Sequence, residues 1–114
     1  MRIVKKPWGH EEIWAETDKY LGKILYIKKG HRLSLQYHER KTETIRVLQG
    51  NLMLVLQEKR DGPIFNKRLS EGEIYHVAQG TIHRFCAVDE DVSLLEVSTP
   101  EIDDVIRLED DYAR

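Results

Sequence analysis

The chain is poor in features that would assign it at a glance. Of its 114 residues only Cys86 is a cysteine, so no intrachain disulfide can form, and a reducing, cytoplasmic setting is expected. Cys86 lies in an apolar run, IHRFCAV, and reads there as a small buried hydrophobe. No segment approaches the ~20 apolar residues of a membrane span, and MRIVKKPWG lacks the apolar stretch of a signal peptide, so no membrane partner is expected. Neither sign of charge dominates: 18 Lys and Arg against 20 Asp and Glu give a net charge of −2, interspersed along the chain. Without a clustered basic face, nucleic acid is not an expected partner. Repeats, low-complexity tracts and linkers are missing, and the length fits one domain over residues 1–114. No stretch of the body keeps a 3.6-residue apolar period, which argues against a helical protein.

What the chain does have is punctuation. Seven glycines, at 9, 22, 30, 50, 62, 72 and 80, divide short runs rich in Ile, Leu, Val and Tyr. YLGKILYIKK, SLQYH, TIRVLQ, NLMLVLQEK, PIFNKRL, EIYHV and VSLLEVST each read as a strand. Gln-Gly-Asn at 49–51, Asp-Gly-Pro at 61–63 and Ser-Glu-Gly at 70–72 supply turns between them. Short strands at regular spacing predict an all-β sandwich or barrel rather than βαβ units. The tail PEIDDVIRLEDDYAR is expected to hold a helical turn after Pro100, and its acidic residues are expected to be a solvated face.

The stretch LSLQYHERKTE, residues 33–43, is the one that carries chemistry. In an extended strand residues two apart share a face, so Ser34, Gln36 and His38 lie opposite Leu33, Leu35 and Tyr37. The polar face could meet water, or it could line a small barrel that holds a ligand; alternation alone leaves both open. Glu43 follows at the start of the next strand, and His83 comes three residues after a turn glycine. Gln36, His38, Glu43 and His83 together would offer two imidazoles, a carboxylate and a carboxamide oxygen. That set suits one borderline divalent ion such as Zn, Mn, Fe, Co or Ni.

Gly30 to Gly50 resembles the first sequence motif of the cupin superfamily, and Gly72 to His83 resembles the second. More narrowly, L-S-L-Q-x-H followed by a glutamate is similar to the cupin domain of type II phosphomannose isomerases, with KPWGHEE and DDVIRLEDDYAR similar to that family's flanking segments. The resemblance implies a single-domain double-stranded β-helix, or jelly roll, with a short C-terminal extension. It implies zinc as the ion and Lys41 and Arg107 as catalytic residues; Ser34, on the same strand face as the ligands, and Arg32, near them in sequence, are the expected substrate contacts. It also implies a cupin-like homodimer. Type II members carry arginine where Lys41 stands and histidine where Thr44 stands; a lysine is similar to the type I enzymes. Ala78 and Ala87 replace the usual proline and asparagine of the second motif. No segment resembles the nucleotidyltransferase domain that many type II proteins carry, so sugar-nucleotide synthesis is not expected of these residues.

The implied activity is metal-dependent isomerisation of a phosphorylated sugar, mannose 6-phosphate to fructose 6-phosphate through an enediol. Such a reaction needs a group to move a carbon-bound proton and an electrophile for the developing oxyanion. Lys41 would need a lowered pKa to serve as the base. A non-catalytic cupin that binds a sugar or metabolite is the alternative from another class. An Fe(II)-dependent oxygenase using His38, Glu43 and His83 is a further one. Among the remaining residues, Glu96 is expected on an exposed face, with a barrel-lining role as the other option. His76 could face the cavity or the outside, and His31 and His10 are expected at the surface. Arg32, Lys28, Lys41 and Arg84 are the candidate seats for a phosphate. Arg107 is expected to reach the site if the tail folds over the barrel mouth.

Overall fold

A computed structural model describes residues 1–112. Twelve strands run in chain order: β1 (Arg2–Lys6), β2 (Gly9–Glu16), β3 (Leu21–Ile27), β4 (His31–Arg32), β5 (Leu35–Tyr37) and β6 (Glu43–Gln49). They are followed by β7 (Leu52–Gln57), β8 (Ile64–Leu69), β9 (Ile74–Val77), β10 (Ile82–Ala87), β11 (Val92–Ser98) and β12 (Ile106–Glu109). One sheet has the order β1-β2-β3-β11-β6-β9, the other β12-β5-β10-β7-β8 with β4 also paired to β10, and every pairing is antiparallel. The described residues contain no helix. The fold is therefore the expected all-β jelly roll, and each of the seven strands read from the sequence is present.

Two regions differ from expectation. The N-terminal residues form a hairpin, β1–β2, turning at Pro7-Trp8-Gly9, and His10 stands in its second strand, stacked on Tyr26 at 4.4 Å. Gly9 is required at that turn: its φ is +153° and a Cβ there would collide with the Tyr26 carbonyl. The tail holds no helical turn. After a turn at Ile102–Asp103 it becomes β12, because β5 would otherwise leave an unpaired edge and the β-branched pair Val105-Ile106 favours extension.

The barrel interior is divided along its axis. On β3, Leu25 and Ile27 share the inner face with Lys23; on β11, Val92 and Leu94 share it with Glu96. On β6, Ile45 and Val47 share it with Glu43, and on β10, Phe85 and Ala87 share it with His83. The apolar ends of these faces meet in one core with Trp8, Leu33, Leu52, Leu54 and Leu69. Burial of each large member stabilises by roughly 1.5–3 kcal/mol. The polar ends meet at the other half of the barrel, where β12 and the loop before it cover the mouth. Fold and site thus come from the same strands: one half of each inner face closes the core, and the other half is left for chemistry.

Candidate metal centre

His38, Glu43 and His83 come together at that polar end, all of them buried, with ligand atoms within 4.8 Å of one another. They form the one such group of His, Cys, Asp and Glu among the described residues. His38 ends the β5 segment, Glu43 opens β6, and His83 lies on β10 directly across from Gln36. The imidazoles are oriented from behind. His38 Nδ1 donates to the Asp104 carbonyl at 2.5 Å, and His83 Nδ1 donates to the Thr81 carbonyl at 2.9 Å. A carbonyl only accepts, so a neutral ring held this way keeps its proton on Nδ1 and turns the Nε2 lone pair inward.

Both Nε2 atoms then point at the same carboxylate oxygen, Glu43 Oε1, each at 3.2 Å. A proton on an Nε2 makes such a contact a hydrogen bond, as between His38 and Glu43; with both Nε2 atoms unprotonated, three acceptors face one another and repel unless a cation lies among them. His83 Nε2 has no hydrogen-bond partner although it is fully buried, a state that is disfavoured without an unseen ligand. Two imidazole nitrogens and a carboxylate oxygen at this spacing fit a divalent ion of the zinc or manganese type. Burial raises the Glu43 carboxyl pKa, but His38, His83 and Lys41 outweigh it and leave the group well below its ordinary range, ionised and ready to ligate.

Beside the triad lies a buried pair. Lys41 Nζ is 3.1 Å from Glu96 Oε2 and 3.7 Å from Glu43 Oε2. Burial lowers the Lys41 pKa, yet the charges of Glu96 and Glu43 more than compensate and hold it above its ordinary value. Without a bound ion Lys41 is therefore an ammonium, contrary to the lowered pKa that a basic role requires. Glu96 is not exposed as expected: it is buried at 3%. Burial and then the neighbouring Glu43 charge push its carboxyl up to about 8. The sequence carries a signal for this, since Glu96 shares its strand face with Val92 and Leu94, two residues of the core.

The other expected site residues divide. Gln36 lines the same cavity of about 70 Å³ as His38, Lys41, Glu43 and Glu96, and its Oε1 accepts from Ser34 Oγ at 2.7 Å. Ser34 is wholly buried behind it and orients the carboxamide. Arg107 pairs with Gln36 across β12 and β5, and it lines the cavity together with Ile102 and Val105. The tail does fold over the mouth. Arg32 is not among the lining side chains; its Nε and Nη2 bind Asp111 at 2.6 and 2.9 Å at the surface. Arg84 is buried and committed to the carbonyls of Leu33 and Glu109, clasping β12 to the barrel. His76 faces outward and meets Thr44 Oγ1 at 2.8 Å. Asp104, expected in a solvated acidic face, instead accepts from the backbone N–H of Glu39, Arg40 and Lys41 at 3.1, 2.7 and 2.9 Å. Those three bonds fix the loop that carries Lys41. They also hold the Asp104 carboxyl at about 2, chiefly through Arg40 and Lys41.

Residues 1–110 match the family model described as "Mannose-6-phosphate isomerase C-terminal". The chain belongs to this family. Among relatives in the mannose-6-phosphate isomerase C-terminal family's neighbourhood, the mannose-1-phosphate guanylyltransferase of Escherichia coli (strain K12) is 33% identical over 119 residues, covering 99% of this chain and 23% of that protein. The chain thus spans less than a quarter of the relative's length. Among solved structures, the capsular polysaccharide assembling protein CapF of Staphylococcus aureus superposes with a TM-score of 0.83 at 18% identity, covering 95% of this chain and 34% of CapF. KdgF of Halomonas sp. gives a TM-score of 0.75 at 21% identity over 90% of this chain and 91% of its own. Both share the cupin barrel described above.

Proposed function

We propose that this chain is a metal-dependent sugar-phosphate isomerase that interconverts mannose 6-phosphate and fructose 6-phosphate through an enediol. The observation that carries the reading is the convergence of His38 Nε2, His83 Nε2 and Glu43 Oε1, three buried atoms within reach of one ion, at the wall of a cavity lined by Lys41 and Arg107. The family's description, mannose-6-phosphate isomerase, supports the choice of sugar. Gln36, oriented by Ser34, would be the fourth ligand, and zinc is the ion that the donor set and the resemblance favour. When bound, such an ion supplies Lewis-acid polarisation of oxygens on adjacent carbons.

The chain's own residues supply the rest. Lys41, held as an ammonium by Glu96 and Glu43, donates to and stabilises the oxygen on which negative charge develops. Glu96, 3.1 Å from Lys41 Nζ and shut away from bulk water, is the carboxyl placed to carry the proton between adjacent carbons. The cavity of about 70 Å³ is too small to enclose a hexose phosphate, so the phosphate stays at the mouth, where Arg107 lies. Ile102 and Val105, from the tail, restrict water at that mouth. The test is direct. Metal-stripped chain is reloaded with Zn, Mn, Fe, Co or Ni, and conversion of mannose 6-phosphate to fructose 6-phosphate is followed in a coupled assay. Turnover that returns with Zn or Mn supports the reading; a folded, metal-loaded chain inactive with all five ions refutes it.

A further inference from the structure

The charged wall of the cavity does not stop at Glu96. Lys23 on β3 pairs in register with Glu96 on β11, and Lys23 Nζ lies 3.3 Å from Glu11 Oε1 on β2. The two side chains are only 8% and 11% exposed, and both line the cavity that Lys41, Glu43 and Gln36 line. Neither touches His38, Glu43 or His83 by any hydrogen bond or ion pair of the structure.

Stability does not account for it. A buried ion pair loses much of its Coulomb attraction to desolvation, and well-packed apolar residues of similar volume often serve as well or better. The neighbouring inner-face positions are apolar and pack into the core: Ile13 follows Glu11 on β2, and Leu25 follows Lys23 on β3. The hydrogen bond between them, Lys23 Nζ to Glu11 Oε1, uses one of the ammonium's three donors and one of the carboxylate's two oxygens. Both side chains border the cavity. An adjacent ammonium and carboxylate are complementary to a pair of vicinal hydroxyls, each of which both donates and accepts.

We infer that Glu11 and Lys23 form a subsite for vicinal hydroxyls of a sugar, distinct from the metal ligands, and that they set which polyol chain the cavity accepts. The inference rests on the proposed sugar-phosphate reading of the site. Its test uses the full chain, zinc-loaded, and calorimetric titration with mannose 6-phosphate and, separately, inorganic phosphate. The variant Glu11→Leu/Lys23→Met removes both charges without stranding either. It is expected to keep its zinc content and thermal stability, to bind inorganic phosphate as the wild type does, and to bind mannose 6-phosphate about tenfold or more weakly. Glu11→Gln, which keeps size and shape, is expected to weaken sugar-phosphate binding by a smaller factor and covers the case in which the double variant does not fold. Unchanged sugar-phosphate affinity in either folded variant overturns the subsite, as does a wild-type chain that binds no hexose phosphate at all. Wild-type binding without turnover instead removes the isomerase reading and leaves the subsite standing.

Discussion

Lys41→Met is the substitution whose consequences the geometry fixes most closely. Lys41 Nζ is 3.7 Å from Glu43 Oε2, with both side chains almost inaccessible to water. At an effective dielectric of about 20, a unit pair at that distance attracts by about 4–5 kcal/mol. Removing the ammonium also relieves its own desolvation, so the net loss in the metal-free protein falls near about 3 kcal/mol, at the lower end of what breaking a buried pair costs. Glu96 Oε2, 3.1 Å from the same ammonium, adds to this loss to the extent that it is ionised. Urea unfolding in the presence of a chelator should therefore show a lower midpoint with an unchanged slope. The double variant Lys41→Met/Glu43→Gln, which strands no charge between these two positions, should be less destabilised than the two single losses summed, with a coupling of about 2 kcal/mol or more. A single-variant loss under about 0.5 kcal/mol, or additive behaviour in the cycle, would refute the buried pair as the organiser of this wall.

Glu96 gives a pH signature in the metal-free protein. Its folded pKa is raised from an ordinary 4.5 to about 8, so its neutral form stabilises fully below about pH 4.5, and that contribution is lost as pH rises through about 8. Stability measured across that range should fall more steeply in the wild type than in Glu96→Gln. Asp104 has the opposite sign: its carboxyl is depressed from 3.8 to about 2, so its contribution is complete above pH 3.8 and is lost as acid carries the protein through about pH 2. Asp104→Ala, by freeing the three loop N–H groups, should weaken zinc binding by about tenfold in a chelator competition while the barrel's circular dichroism is unchanged. Arg107→Ala should raise KM for mannose 6-phosphate and leave zinc content as in the wild type, measured by steady-state kinetics and metal analysis.

The polar end of the barrel was only partly legible in the sequence. Gln36, His38, Glu43 and His83 could be named because their residue types are those of metal ligands and their spacing matched a known pattern. Lys41 and Arg107 came with that match. Glu11 and Lys23 were not found, although each carries a local sign: Lys23 interrupts the inner face of Leu21, Leu25 and Ile27, and a charge on such a face is either paired or aimed at a cavity. Glu96 is flanked by Leu95 and Val97, which suggests an outer position, but its own strand face is that of Val92 and Leu94, which turns it inward. Arg32 and Asp104 show a different limit. Whether Arg32 meets substrate or Asp111, and whether Asp104 meets water or the 39–41 loop, depends on where a tail some 60 to 80 residues away comes to lie. Strand periodicity contains no such information. The β12 strand itself exists because β5 offers it an edge.

A crystal structure of metal-loaded protein with anomalous scattering tests most directly whether an ion fills the gap between His38, Glu43 and His83. The predicted result is a single strong peak bonded to His38 Nε2, His83 Nε2 and a Glu43 carboxylate oxygen at about 2.0–2.3 Å, and no peak there in His83→Ala. An ion bound elsewhere, or a gap closed by a protonated imidazole paired directly with Glu43 in saturating metal, would contradict it.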